Sequence, residues 1–296
     1  MSKFLSRQRL NGAQTFAVLG LPGIALYAVA VIIPLTLAIR YSLLDFNLLT
    51  SKGPFVGLDN YRDVLTDPDF WSALGFTSVL TVYLLLAANI GGLLLALLLN
   101  RRRRVFNGLR TIAFVPSILS GVVLAYIWST ILTDKGVLNN TLGLLGLAEL
   151  QTSWLGTPLA AQASVIFISG WPSIGFSTVV YLAGLQSIPS ELLEAASVDG
   201  AGPVRTFRAI TWPLLQPSLF VVSTMMIIGG VKSYDVSAVL TGGGPAGATD
   251  TPALQILRHG FEENRAGFAN AQAIILLSII VLISVVGYTI SAKREK

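Results

Sequence analysis

The stretch Glu194-Ala195-Ala196-Ser197-Val198-Asp199-Gly200, running on to Ile210-Thr211-Trp212-Pro213, is a small polar island between two long apolar segments. Pro189 and Ser190 supply a helix start ahead of it, and Glu191 places a carboxylate at the positive end of that helix's dipole. Gly200 and Gly202-Pro203 then break the chain. A second short helix is expected to follow, with Val204, Phe207 and Ile210 on one face at three-residue spacing and Arg205 and Arg208 elsewhere. Two short helices joined at a glycine make a compact knob. Ala195 and Ala196 carry almost no side chain, so a partner surface can approach that backbone closely while the flanking carboxylates meet basic groups. On periodicity alone, an amphipathic hairpin resting on lipid headgroups fits as well.

What flanks the island is membrane. Hydrophobic residues make up 53% of the chain and charged ones 12%, roughly half the charge of a soluble domain, which averages about 25%, and the mean hydropathy is +0.70. Uncharged runs at Asn11 to Ile39, Phe70 to Asn100, Thr111 to Thr133, Leu150 to Ser190, Ala209 to Val231 and Ala266 to Ala292 each exceed the roughly 20 residues a tilted helix needs to cross the hydrocarbon. Alternation is weak, which argues against a barrel. The expected fold is therefore an all-α integral membrane protein with six transmembrane helices. It divides into an N-terminal segment 1–14, a membrane domain 15–292 containing the hairpin 186–213, and a tail 293–296. If both termini are cytoplasmic, the inner segments hold thirteen of the 20 basic residues and four of the 15 acidic ones, a net of +9 against −4 elsewhere. That asymmetry obeys the positive-inside rule, so the excess charge orients the chain in a lipid bilayer and calls for no nucleic acid. No cysteine is present, which excludes a disulfide framework and a thiolate metal site.

Along the chain, Lys3, Arg7 and Arg9 precede a run too long for a cleaved signal, and this first span is expected to kink or re-bond its backbone at Pro22 and Pro34. The second ends at Arg101 to Arg104 and carries Gly91 and Gly92 for close helix contact. The third is expected to bend at Pro116. Between the third and fourth, Val137 to Leu145 suggest a short interfacial helix. The fourth, within Ala160 to Leu185, contains Gly170, Trp171, Pro172, Ser173 and Gly175, residues that disrupt a helix. Irregular backbone at membrane depth is tolerated only where protein or a polar cavity surrounds it, so this stretch is a candidate path for a solute. Lys232, Tyr234 and Asp235 lie near the far end of the fifth span, followed by a flexible turn at Thr241-Gly242-Gly243-Gly244-Pro245. That glycine run lacks the Gly-Lys-Ser/Thr ending of a phosphate loop, so no nucleotide site is expected in this chain. The lone His259 has no second metal ligand at useful spacing, and no metal site is expected.

Glu-Ala-Ala, three residues, Gly, nine residues, then Ile-x-x-Pro resembles the coupling signature of the permease subunits of binding-protein-dependent ABC importers, with Trp212 where the commonest form has Leu. Phe55-Val56-Gly57-Leu58-Asp59-Asn60-Tyr61 with Asp67 to Trp71, and Tyr234-Asp235 with Leu240 to Pro245, are similar to loops of the sugar-type permeases in that family. The resemblance implies a type I (MetI-like) architecture and transport of a sugar, with no catalysis by this chain. It also implies a second homologous permease subunit, a dimer of a separate ATPase subunit that holds ATP and Mg, and an extracytoplasmic solute-binding protein. On this reading Glu194, Ala195, Ala196, Asp199, Gly200, Ile210 and Pro213 dock on the ATPase. A sugar presents an apolar ring face and a rim of hydroxyls, so Trp171 and Tyr234 are candidates for a platform, and Ser173, Asp235 and Lys232 for polar contacts. Two plainer accounts stand beside it: Trp171 as a packing residue, and Lys232 with Asp235 as a helical ion pair. An ion-gradient-driven transporter is the alternative class. It predicts carboxylates spread through the bundle and an internal repeat, neither of which is visible.

Overall fold

Proline, glycine and hydroxyl positions set where each helix of this chain starts, bends and stops. The computed structural model describes residues 20–100 and 104–294. The segment 1–14, Arg101 to Arg103 and the last two residues of the tail lie outside them.

The first span, α1, is Leu21–Ser42. Pro22 falls in its first turn, where a missing N–H costs nothing. Ahead of Pro34 the backbone widens to a π-helical turn over Ala28–Ile32, so the re-bonding expected at this proline is present. A short helix α2, Asp59–Thr66, lies in the loop that follows. Helix α3, Pro68–Leu99, starts earlier than its apolar run because Asp67 accepts the Asp69 N–H at 3.0 Å and Pro68 opens the first turn. It carries a π turn at Ala87–Gly91.

The third span departs from expectation. Helix α4, Arg104–Ile118, carries Pro116 inside it. The break comes after it, where Ser120 caps α5, Gly121–Ile131, by accepting the Val123 N–H at 3.3 Å. The two helices meet at 96°. A new N-cap outcompetes the proline as the breaking point. The short helix α6, Val137–Leu144, forms in the next loop as its leucines suggest.

Helix α7, Pro158–Gln186, is the larger correction: 29 residues run unbroken through Gly170, Trp171, Pro172, Ser173 and Gly175. The hydroxyls of Ser173, Ser177 and Thr178 bond to carbonyls one turn back, at 3.1, 2.8 and 2.7 Å. The glycines serve contact instead. A β-carbon on Gly170 would strike the Tyr83 ring, and one on Gly175 the Ala113 carbonyl oxygen. Gly92 likewise seats the Ser177 side chain, which realises the close helix contact expected there and identifies α7 as the partner.

After α7 come α8, Ser190–Val198, then α9, Pro203–Leu214, and α10, Gln216–Val231, bent by 62° at Leu215. The helix is interrupted at Lys232 to Tyr234 before α11, Asp235–Leu240. Helix α12, Pro252–Leu257, leads through a π turn at Arg258–Glu262 into α13, Ala266–Arg294. Among the described residues α1, α3, α7 and α13 alone meet the length and apolarity of a membrane span. Counting each bent pair, α4–α5 and α9–α10, as one span gives the six expected.

Two larger apolar cores stack along the bundle, and a smaller third, Val64, Phe70, Phe268 and Ala271, joins α2, α3 and α13. One of the larger two, at the end that bears the long loops, joins Phe76, Leu124, Val165, Ile168, Val236 and Leu240 from α3, α5, α7 and α11. The other, at the hairpin end, joins Ala88, Leu99, Tyr181, Leu185, Leu215 and Val222 from α3, α7, α10 and the bend that precedes α10. Helix α1 packs on α13, yet its most apolar stretch buries nothing within the chain, leaving that surface to lipid or another subunit.

Candidate functional site

Three polar features stand out against this apolar bundle: the hairpin, a cavity between the cores, and the loops at the opposite end. In the hairpin, Asp199 ends α8 and Gly200 follows at φ +72°, in the left-handed region that favours glycine. The Gly200 N–H donates to the Ser197 carbonyl at 3.1 Å and the Ala201 N–H to the Ala196 carbonyl at 2.9 Å, the paired bonds of a Schellman cap. A β-carbon on Gly200 would meet open space, so the backbone alone requires the glycine. Glu194, Ala195 and Asp199 are exposed and Ala196 is buried. The second arm starts at Pro203 and widens to a π turn over Phe207–Thr211, so the expected three-residue stripe holds only in part. Phe207 and Ile210 are half-buried, whereas Val204 is 66% exposed. Pro213 is exposed in the next turn. Val198, 88% exposed, joins Leu192, Leu193 and Val204 as apolar side chains left uncovered on this knob.

The cavity, about 220 Å³, borders both larger cores: Leu124 and Val236 belong to one, and Met226 packs against the other. Its polar lining is Ser169, Ser173, Ser233 and Asp235, with Gly229 and Gly230 from α10. Ser169 Oγ is buried without a partner among the described residues. Of the five residues proposed for a solute path, the structure brings Ser173 and Asp235 together here. Trp171, Tyr234 and Lys232 do not line the cavity. Trp171, 44% exposed, sets its ring edge-on to Trp128 at 5.9 Å and 88°, and Tyr234 is 43% exposed. Lys232 and Asp235 form no ion pair among the described residues, where Arg258 with Asp250 is the single one. The helix is interrupted between them, with Lys232 as the C-cap of α10 and Asp235 starting α11, so they are not a pair on one helix.

Sequence reasoning missed Asn89. It sits in the π turn of α3 and accepts from the Tyr181 hydroxyl and from Ser223 Oγ at 3.4 Å, joining α3, α7 and α10 at one oxygen. The available signal was a lone amide in an apolar run. Ser169 was also missed, although Ser169, Ser173 and Ser177 recur at four-residue spacing and so share a helix face.

At the loop end, Asn60 is buried and its Nδ2 donates to the Ser42 and Leu44 carbonyls, both at 2.9 Å, while Tyr61 pairs with Ser42 Oγ at 2.7 Å. The aromatic loop is thus a clamp on the end of α1. The glycine turn at 241–245 is ordered by its surroundings and not the free turn expected. Thr249 Oγ1 donates to the Gly244 carbonyl at 2.8 Å, Gln162 Nε2 to the Ala248 carbonyl at 2.7 Å, and Arg258 holds buried Asp250 at 2.9 Å. His259 stacks on Phe268, centroids 5.0 Å apart. Among the described residues no cluster of His, Cys, Asp or Glu is placed to hold a metal.

Known proteins resemble this chain in sequence and in fold. The chain is 37% identical over 259 residues to the multiple sugar-binding transport system permease protein MsmF of Streptococcus mutans, covering 86% of this chain and 87% of that one. It is 33% identical over 281 residues to the trehalose/maltose transport system permease protein MalF of Thermococcus litoralis, covering 94% and 93%. In three dimensions it matches a chain of a bacterial ABC transporter involved in the import of the acidic polysaccharide alginate, with a TM-score of 0.82, 26% identity, and coverage of 95% and 96%. A chain of the MetNI methionine ABC transporter, at 17% identity and a TM-score of 0.55, shares the fold. Residues 88–296, which include the hairpin and most of the cavity lining, match the family described as the binding-protein-dependent transport system inner membrane component, and the chain belongs to that family.

Proposed function

We propose that this chain is the membrane-spanning permease subunit of an ATP-driven importer that moves a carbohydrate delivered by an extracytoplasmic solute-binding protein. The observation that carries the reading is the hairpin: a rigid, glycine-capped knob whose apolar side chains are left uncovered at the end of the bundle where the expected topology places the cytoplasm. An exposed patch of this kind on a fixed scaffold fits a docking surface. Its partner is a dimer of a separate ATPase subunit, which holds the ATP and Mg. A second homologous permease subunit completes the membrane unit, and its contact surface accounts for part of the apolar area that α1 and its neighbours leave open.

The cavity suits a hydroxylated solute. Three serines and one carboxylate offer directional bonds, while methionine and glycine surfaces accept an apolar ring face. The sugar-named relatives and the alginate importer, also solved with its pentasaccharide-bound periplasmic protein, support a sugar as the cargo. ATP-driven closure of the ATPase dimer would carry the hairpins with it as rigid bodies and switch which end of the bundle is open, a shift driven by differential binding.

Co-purification from native membranes tests the assembly, and uptake tests the energetics. Proteoliposomes holding the co-purified complex should accumulate a labelled disaccharide such as maltose or trehalose only when ATP and Mg face the hairpin side. Accumulation driven by a proton or sodium gradient without ATP would reject the reading in favour of a secondary transporter.

A further inference from the structure

The carboxylate of Asp235 occupies an unusual place. Its Oδ1 accepts the Val236 N–H at 2.9 Å, and its Oδ2 rests against the α-carbon of Gly121, where an added methyl group would strike it. Gly121 is the first residue of α5, an 11-residue helix, so the carboxylate sits at the positive end of that dipole. Asp235 also begins α11, which shares the loop-end core with α5: Val236 and Leu240 lie with Leu124 and Ala125. One side chain therefore joins two interruptions of the bundle, the 96° bend between α4 and α5 and the gap between α10 and α11. The same carboxylate lines the cavity beside Ser173 and Ser233.

We propose that Asp235 is a positioning residue that latches α5 to α11 and so holds the loop end of the bundle closed over the cavity, and that opening toward the loops requires this contact to part. Bends and breaks are where packed bundles keep two discrete arrangements, and a charge–dipole contact across two of them biases the choice. The latch rests on the permease reading and the orientation given above, but not on the cargo being a sugar.

The chain has no cysteine, so a single Ser169→Cys reports access to the cavity. In intact cells carrying the complete transporter, a membrane-impermeant maleimide should label that cysteine about fivefold faster with Asp235→Asn, which keeps the size and removes the charge. Gly121→Ala, which displaces Oδ2, should do the same. Basal ATP hydrolysis by the purified complex should rise in both variants, because the closed state no longer restrains the cycle. The double variant Gly121→Ala with Asp235→Ala restores room without restoring the charge, and should stay fast. Unchanged labelling and hydrolysis in Asp235→Asn, or wild-type values in the double variant, would overturn the latch. If Gly121→Ala fails to assemble, Asp235→Asn decides alone. Faster labelling seen only in inverted vesicles supports the latch and counts against the orientation.

Discussion

Gly200 shows how narrow a requirement one residue can carry. Its surroundings leave room for a side chain, yet its φ of +72° costs an ordinary L-residue about 1–2 kcal/mol. Crowding by the chain's own atoms therefore plays no part, and the expected order of transport activity is Gly200, then Gly200→Asn, Gly200→Ala and Gly200→Val, with the β-branched variant losing most. Uptake and transport-stimulated ATP hydrolysis measured on the four proteins check it, and a fully active Gly200→Val would contradict the coupling role. His259 offers a second test at this scale. Burial holds its imidazole below the ordinary value of 6.5, with Glu263 and Asp67 opposing and Arg265 and Arg258 reinforcing the shift. The folded state thus favours the neutral ring, so the stability it supports is complete above 6.5 and is lost as pH falls from there to the lowered folded value. As this is the chain's single histidine, His259→Phe, which keeps the stack on Phe268, should shrink the drop in Tm between about pH 7.5 and pH 5.5. An identical drop in both proteins would remove His259 from the account.

At the scale of elements, packing decided what local signals left open. Pro172 with Gly170 and Gly175 reads as a helix breaker, and α7 runs through all three. Hydroxyl-to-carbonyl bonds within the helix accompany the proline, and the glycines receive Tyr83 and the Ala113 carbonyl from helices distant in sequence. Gly175→Ala should therefore destabilise the protein by about 1–3 kcal/mol by wedging α7 from α4, measured as a fall in denaturation midpoint in detergent. The converse error fell at 241–245, where a glycine run suggests freedom but Thr249 and Arg258 bond its Gly244 and Gly242 carbonyls. The aromatic loop makes its contribution through Asn60. Asn60→Ala removes both bonds to the end of α1 and should cost about 1–3 kcal/mol, with protease nicking between Leu44 and Gly57 as the local readout. Unchanged nicking would show that the clamp does not order the loop.

For the whole molecule, class, span number and hairpin were legible because they rest on long-range composition and on one spaced motif. The cavity was legible in part. Ser173 and Asp235 carry chemistry that any reading would mark and Ser169 shares the Ser173 helix face by its four-residue spacing, whereas Gly229 and Gly230 acquire their meaning only from the crossing of α7 and α10. Asn89 was hidden for the same reason, since one amide in an apolar run does not reveal that three helices meet on it. Stacked cores, a polar cavity between them and a glycine-capped knob at one end are the parts from which the proposed coupling is built. The central claim is that this knob docks on an ATPase subunit. Val198→Cys, at the most exposed apolar position of the hairpin, tests it directly by thiol labelling of the purified permease with and without its ATPase subunits. The account predicts that labelling slows at least about tenfold on assembly, as a buried interface excludes the reagent. Equal labelling in the free and the fully assembled protein would contradict it.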